Sequence, residues 1–476
     1  MMTHHTSRRR FLKHSAAAGA AALAAPLATP RIVKGLVSAN EKVNLAFIGV
    51  GGQGSSNLRS LTEEGRGQRE GRNEREGGAE REGTAKLVNV VALCDADENM
   101  VNQHVSRFPK AQRHADYRKM LETQKDIDAV VVSTPDHHHA FAAVMAMNFG
   151  KHCYCEKPLT HSVYEARAVA EAAARNKVAT QMGNSGHSGR GVRSVVDALR
   201  AGVVGKVVEA HAWTNRPIWP QGIPRPQGED KLPPTMNWDL WLGPAPQRPY
   251  VGSRKGERTY HPFVWRGWWD FGTGALGDMG CHIIDPIFWG LDLGSPTSVE
   301  AEYDSPHNDE TAPNWSIVRY AFAARGDRPA LKFTWYDGGK LPPRDLTDGL
   351  VGPGPDGKVR LDNGVLIVGE KGRLLSDRRT SYRLLPEADF KDFQRPPRTL
   401  PESPGHHLEW VNACKGGEPS LANFAYSGPL TEMVLLGNVA IRAGKKIEWD
   451  AKEMKVTNAP EANRFVRREY REGWTL

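Results

Sequence analysis

Cysteine is scarce in this 476-residue chain: five residues, with no zinc-ligand spacing and no pattern of a secreted disulfide scaffold. Disulfides are therefore not what holds the fold, and the thiols read as small buried hydrophobes; Cys153 and Cys155, two apart, would share one face of a strand. No apolar run reaches the roughly 20 residues of a membrane-spanning helix. Basic residues are interleaved with acids, which argues against a nucleic-acid surface. Acids are absent altogether before residue 30, where Arg8, Arg9, Arg10 and Lys13 stand alone. Without those four the formal net charge of +8 falls to +4, unremarkable for this length.

The same stretch has the form of an export signal. Ser7-Arg-Arg-Arg-Phe-Leu-Lys13 precedes an Ala/Gly/Leu run from Ala16 to Ala25, then Pro26 and small residues. Paired arginines before Phe-Leu-Lys resemble the twin-arginine signal. Residues 1–30 are accordingly expected to be a signal peptide, the mature protein periplasmic or secreted, with no membrane span after its removal. With 39% apolar and 25% charged residues, the remainder of the chain is globular and long enough for two domains.

Val43-Asn-Leu-Ala-Phe-Ile48 reads as a buried parallel strand and runs directly into Gly49-Val-Gly51-Gly52-Gln53-Gly54, followed by a helical pattern to Leu61. A G-x-G-x-x-G loop between strand and helix cradles a pyrophosphate: one glycine turns, one lets backbone approach, and one lets the helix pack close. An acid for the ribose should follow about twenty residues on. Asp95, at the end of Leu87–Cys94, lies about twice as far. The excess is explained by residues 62–85, with seven Glu, five Arg, six Gly and no apolar residue larger than Ala, which reads as a mobile surface insertion. Asp95 favours NAD over NADP, because its carboxylate would repel a 2′-phosphate; Asp97 is the alternative acid. The next strand, Ile127 to Thr134, ends in Pro135-Asp136-His137-His138-His139 before a helix from Ala140. Consecutive histidines on a loop diverge and no ligand pair follows, so cofactor or substrate contact is expected there, not a metal.

Lys151-His-Cys-Tyr-Cys-Glu156-Lys157-Pro158-Leu159, following Ser-Thr-Pro-Asp and an Ala-rich helix, resembles the Gfo/Idh/MocA oxidoreductases. Their second hallmark, an Asp and a His four apart, is matched by Gly277-Asp278-Met-Gly-Cys-His282-Ile-Ile-Asp285. The resemblance runs from Val43 to about Trp449. It implies a Rossmann NAD domain (residues 42–183) and an α+β substrate and oligomerisation domain (184–476) built on an open, mostly antiparallel sheet. It also implies a homo-oligomer and a small-molecule carbohydrate substrate. By resemblance Lys157 is the cation at the reacting hydroxyl, His282 the general base, and Asp278 a substrate or histidine partner. The expected cofactor contacts are Gly49, Gly51, Gly52, Gln53 and Gly54, then Asp95, Thr134, Pro135 and His139, with Glu156 and Lys157. Independently of the resemblance, Asp278, His282 and Asp285 would share one helical face. Glycines open that helix and could let substrate come close, and Pro286 would end it.

Past Gly183 and Asn184 come a helix (Val192 to Ala201), a strand pattern from Val207 to Trp213 containing His211, and then a Trp- and Pro-rich stretch to Trp269. The prolines exclude regular helix there. Its tryptophans suit a sugar-stacking platform or loop packing equally. His137, Asn184, His211, Trp268 and Asp285 are candidate substrate residues, and His406 and His407, ahead of a helix, are further possibilities. Strands are expected at Trp315–Phe322, Ala330–Tyr336 and Val365–Gly369, an amphipathic helix at Leu430–Ala443, and an exposed tail from Glu461 that could reach a neighbouring subunit. The function expected is oxidation or reduction of a sugar, polyol or glycoside hydroxyl with tightly bound NAD, since free cofactor should be scarce outside the cytoplasm. The alternatives are a glycoside hydrolase acting by transient oxidation and a non-catalytic carbohydrate-binding protein on the same fold.

Overall fold

A computed structural model describes residues 41–63, 83–254, 256–304, 308–347, 362–377 and 382–476. The expected signal segment, and the 62–85 insertion except for its edges, lie outside the described residues. Those edges are structured: the first helix, Gly52–Thr62, runs to Thr62, and Thr84 is buried with its hydroxyl donating to Ser60 O.

Six strands form a wholly parallel sheet: β1 Val43–Ile48, β2 Val88–Cys94, β3 Gln112–His114, β4 Ala129–Val132, β5 His152–Cys155 and β6 Thr180–Met182. Their order is β3-β2-β1-β4-β5-β6. β1, β4 and β5 are apolar runs buried on both faces, as a helix-covered parallel sheet requires. The order reverses between β1 and β4, and ligands of such sheets bind at the C-terminal strand ends beside that reversal.

The second sheet contains β7 Val207–Thr214, β10 Ser298–Tyr303, β11 Ser316–Phe322, β12 Leu331–Tyr336, β13 Asn363–Gly369, β14 Gly372–Ser376, β15 Tyr382–Leu385, β16 Ile447–Asp450 and β17 Lys455–Val456. It runs β15-β14-β13-β7-β12-β11-β10-β16-β17, and only β7 and β12 pair in parallel. The fold class is thus α/β, a Rossmann sheet beside an open, mostly antiparallel one. A short hairpin, β8 Ser253–Arg254 and β9 Glu257–Arg258, stands apart. Chain order does not partition the core cleanly. Trp410, Val411 and Cys414 of the His406–Cys414 helix pack with Val43, Leu45 and Tyr154 of the first sheet.

Five local expectations change, the first being that prolines exclude helix from the Trp-rich stretch, where Trp238–Leu242 forms a short one. The helix after β4 begins at Asp136, not Ala140, so the three histidines occupy its first turn and are all buried. The helix expected as amphipathic spans Phe424–Ala443 and is buried nearly all round, wedged between the Val163–Asn176 and Gly274–Ile283 helices. A Cβ on Gly280 would come within 2.8 Å of Val434, so this glycine serves helix packing and not substrate approach. The tail is not free either. Trp474 is buried against His138 and Phe141, and Arg468 donates through Nε to Glu165 (2.7 Å) and through Nη2 to His137 O (2.7 Å).

Glu165 is fully buried and also closes the capping box of the Val163–Asn176 helix. Losing its cation strands a buried carboxylate, so Arg468→Ala should cost about 3–5 kcal/mol in urea-unfolding experiments. A loss below about 1 kcal/mol, as for a surface ion pair, would contradict this account of the tail.

Candidate active site

The glycine loop is shaped by what it presses against. Gly49 has φ +80°, and a Cβ there would lie 2.6 Å from Ser133 O at the end of β4; a Cβ on Gly54 would lie 1.9 Å from Gly49 O. Gly51 abuts Met100, whereas Gly52 and Gln53 are exposed. The Gly52–Thr62 helix has no side-chain cap, so its first N–H groups and its dipole face whatever lies over the loop. Asp95 sits beside it. One carboxylate oxygen accepts from Val50 N (2.9 Å) and the other from Asp97 N (3.0 Å), so this acid also fixes the loop. Asp95, Arg113, His114, Met236 and Trp238 line a cavity of about 630 Å³ at the same end of the sheet. Asp97, the alternative acid, is otherwise engaged. It caps the Glu98–Asn102 helix through Asn99 N and meets His261 at 3.2 Å.

Between loop and β5, Glu156 accepts from Asn57 Nδ2 (2.8 Å) and Gln53 Nε2 (3.3 Å), and Asn57 also donates to Ser133 Oγ (3.1 Å). Gly183 is where a Cβ would hit the Glu156 carboxylate, at 2.6 Å. Asn57 and Ser133 were not legible as site residues; an Asn inside an otherwise ordinary helix was the only signal. Thr134 Oγ1 and both amide atoms of Asn184 are buried at the ends of β4 and β6 without a protein partner. Buried polar groups are seldom left unsatisfied away from ligand sites. An uncapped helix start, a positive-φ glycine turn, an acid at the end of β2 and orphaned polar groups at the neighbouring strand ends together fit a dinucleotide.

Lys157 and Asp278, 121 residues apart, meet here. Lys157 Nζ donates to Asp278 Oδ1 and to Asp278 O, both at 2.8 Å. Arg266, which sequence reasoning missed, donates from Nε to the same Oδ1 at 3.2 Å. Burial pushes the Asp278 carboxyl up, but Lys157 and Arg266 outweigh it and hold the group below its ordinary range. Asp278, expected as a substrate or histidine partner, is held by a lysine and an arginine. His282, half-buried, follows one turn later on the same helix, Gly274–Ile283, and so lies on the Asp278 face. Asp136, also missed, is buried beside this group and accepts from Thr273 Oγ1 (2.7 Å). Burial raises its carboxyl to about 7; the Thr273 bond and the charges of Arg266 and Lys157 only partly oppose this.

Other candidates are spent elsewhere. His137 has its ring nitrogens 3.2 and 3.0 Å from Phe271 O and Trp241 O, and His138 also meets Trp241 O. These rings anchor the Trp-rich segment and leave no edge for substrate. His139 bridges Pro158 O (2.8 Å) and Thr134 O (2.9 Å); it joins the turns after β4 and β5 and does not itself face a cofactor. His211 bonds Tyr336 Oη on the sheet face shared with Trp213, while the Gly274–Ile283 helix packs with Ala210 and Ala212 on the other face. Asp285 is buried and accepts from Tyr426 Oη (2.6 Å) and His187 Nδ1 (3.0 Å), so it braces the helix end instead of meeting substrate. Trp268 is 2% exposed and donates to Thr259 O. Trp219, Trp238, Trp241, Trp265 and Trp269 are at most 7% exposed, which decides between platform and packing in favour of packing. His406 and His407 form the first turn of their helix and are buried. His406 meets Met182 O and Ser188 Oγ, and His407 stacks on Tyr154.

Residues 43–184 match the family described as "Oxidoreductase family, NAD-binding Rossmann fold", and residues 206–328 match its "C-terminal alpha/beta domain". Among curated proteins the chain is 28% identical over 233 residues to "Glycosyl hydrolase family 109 protein 1" of Shewanella sp. (strain ANA-3), covering 44% of this chain and 46% of that one. It is likewise 28% identical, with the same coverage, to an "Alpha-N-acetylgalactosaminidase" of Shewanella oneidensis. The matches thus span about half the length of these relatives. Among solved structures, the WlbA dehydrogenase of Bordetella pertussis in complex with NADH and UDP-GlcNAcA superposes with a TM-score of 0.57 at 15% identity, covering 86% of this chain and 99% of that one. Aldose-aldose oxidoreductase of Caulobacter crescentus superposes at 0.52 and 14%, covering 86% and 100%. At these identities the superpositions speak to fold alone.

The carboxyl of Asp136 ionises near pH 4 in the unfolded chain and about 7 when folded, so the folded state holds the extra proton between them. Its contribution to stability is fully present below about pH 4 and lost as pH rises through about 7. Asp136→Asn should flatten melting temperature against pH from 5 to 8 and stabilise the protein at pH 8 by roughly 1–4 kcal/mol. Parallel curves for variant and parent would contradict the shift.

Proposed function

The chain belongs to the Gfo/Idh/MocA family of oxidoreductases, and on that premise we propose that it transfers hydride to or from a hydroxyl-bearing carbon of a sugar, polyol or glycoside, using tightly held NAD. The observation that carries this reading is the Lys157–Asp278 pair at the C-terminal edge of the parallel sheet, beside the dinucleotide loop. Bound there, NAD supplies the hydride acceptor or donor. In the oxidative direction the carbinol C–H bond breaks with both electrons leaving as hydride, the O–H proton leaves with it, and a carbonyl remains. The Lys157 ammonium, held by two bonds to Asp278, polarises the oxygen as that proton departs. His282, one turn past Asp278, takes the proton, a role suited to an imidazole near neutral pH. Asn184 and Thr134 offer unsatisfied polar groups to substrate and cofactor.

Tight retention is supported by how the Trp-rich segment straps the cavity beside Asp95. Glu98 N donates to Thr235 O (2.9 Å), Asn237 N to Ala96 O (2.8 Å) and Asn99 Nδ2 to Thr235 Oγ1 (2.9 Å). A strapped cofactor suits export by the twin-arginine route, so the reading includes a periplasmic or secreted protein. It also includes a homo-oligomer formed through the open nine-stranded sheet.

A second reading, glycoside cleavage through transient oxidation with NAD regenerated in each cycle, is favoured by the names of the curated relatives. The intact Lys157 weighs toward net oxidation or reduction. Aryl glycosides separate the two: release of the aryl group without net change in reduced nicotinamide would establish the cleavage reading.

Protein purified without added nucleotide should carry NAD or NADH, read by absorbance and mass. On a sugar panel followed at the reduced-nicotinamide band, Lys157→Ala and His282→Ala should each lower turnover by about 10²–10⁴. Full activity of Lys157→Ala, or no hydride transfer with any sugar or glycoside, would overturn the proposal.

A further inference from the structure

Several arginines of the Trp-rich segment meet acids that Lys157 does not use. Arg248 pairs with Asp270 and Glu310, Arg225 with Glu310 and Arg254 with Asp230. Arg266 instead shares the single carboxylate of Asp278 with Lys157. Arg266 is thus a second half-buried cation on an oxygen that Lys157 already occupies. Two further acids lie near this group, and neither bonds Arg266: Asp136 accepts from Thr273, and Glu156, next to Lys157 in the chain, accepts from Asn57 and Gln53.

The guanidinium is also held in one pose. Its Cζ lies 4.3 Å from the Trp265 ring centroid and 4.7 Å from that of Phe263, Nε is on Asp278, and Nη1 donates to Phe263 O at 3.0 Å. Among the described residues Nη2 makes no hydrogen bond, although the side chain is only 19% exposed. A rigid fork with one donor edge uncommitted is what planar anion recognition uses. Phe263, 39% exposed, puts apolar surface beside it, of the kind a sugar's C–H face covers.

We infer that Arg266 forms an anion subsite next to Lys157, and that the substrate is a sugar carrying a negative group, a carboxylate as in a uronate or a phosphate. This deepens the hydride-transfer reading and rests on it for the position of the reacting carbon. The Arg266 Nη2 donates to the anionic group while the Lys157 ammonium addresses the reacting hydroxyl.

The test uses the full-length protein with NAD and matched trios: glucose, glucuronate and glucose 6-phosphate, then the galactose and mannose sets. In the trio of correct stereochemistry, kcat/KM for one anionic member should exceed that of the neutral sugar by roughly ten- to a hundredfold. Arg266→Gln should bring that ratio near one, and Arg266→Lys should keep part of it. A uronate preference identifies carboxylate, and a phosphate preference identifies phosphate; either supports the subsite. Neutral sugars matching or beating both anions in every trio, or a ratio unmoved in Arg266→Gln, overturns it while leaving hydride transfer intact. Should no trio turn over, which counts against the underlying reading, quenching of tryptophan fluorescence still decides the inference. An anion must bind at least about tenfold more tightly than its neutral partner, and equal affinities overturn it.

Discussion

One oxygen atom, Oδ1 of Asp278, ties the molecule's chemistry together. It accepts from Lys157 at the end of the parallel sheet and from Arg266 in the Trp-rich segment, while its own helix packs under the second sheet. Burying a carboxylate alone would be prohibitive, and two cations make it tolerable. The converse holds as well: neither cation could be held half-buried at this edge without it. The functional groups are therefore placed by mutual electrostatic necessity among three segments far apart in sequence. The packing of sheet, helix and segment serves to bring them within hydrogen-bonding distance.

Periodicity and local chemistry account for the parts that were readable in the sequence. The β1 run, the glycine loop, the strand ending at Asp95 and the Glu156-Lys157-Pro158 turn each carry their signal within a few residues, and the structure puts them where that signal implies. The meeting of Lys157 with the Asp278 helix came from family resemblance, since no local pattern encodes a contact across 121 residues. Misreadings arose where residue type suggested chemistry but three-dimensional packing had claimed the side chain. Three histidines in a row were expected on a loop at the cofactor or substrate because the helix start was placed four residues late; on the first turn they are buried, and His137 and His138 meet the Trp241 carbonyl about a hundred residues away. The tryptophans suited a sugar platform and loop packing equally; large aromatic surface is most readily stabilised by mutual burial, and Trp238, Trp241, Tyr260, Trp268 and Phe271 pack on one another. Arg266 sits in no motif, and Asp136, although part of the Ser-Thr-Pro-Asp run, carried no local sign of its burial; the importance of both comes from their neighbours.

The histidines and tryptophans then do something functional at one remove. His137 and His138 bind the carbonyl of Trp241, and backbone bonds from Ala96 and Glu98 take up Asn237 and Thr235. The Trp-rich segment is thereby fastened at two places to the nucleotide sheet, once behind the Lys157 turn and once beside Asp95. Beyond the short Trp238–Leu242 helix and the β8–β9 hairpin, a segment with so many prolines satisfies little of its backbone through regular structure, so it borrows partners from the domain it covers. That borrowing gives a dense cap over the sheet's C-terminal edge with few regular elements in it.

The cap explains why the site can carry strong electrostatics. Groups at an open strand end would be screened by water, whereas here Asp136 and Asp278 are both buried a short distance apart and yet diverge in acidity. Asp278 has two cations on its oxygen and stays ionised; Asp136 has a hydroxyl and lies farther from the same cations, and desolvation wins. One environment therefore supplies a fixed anion that holds the lysine and, beside it, a carboxyl that can gain or lose a proton near neutrality. Because both states arise from the same buried cluster, any substitution that admits water would pull the two acidities together and loosen the lysine at the same time. Covering the edge and organising the charge are thus a single structural requirement.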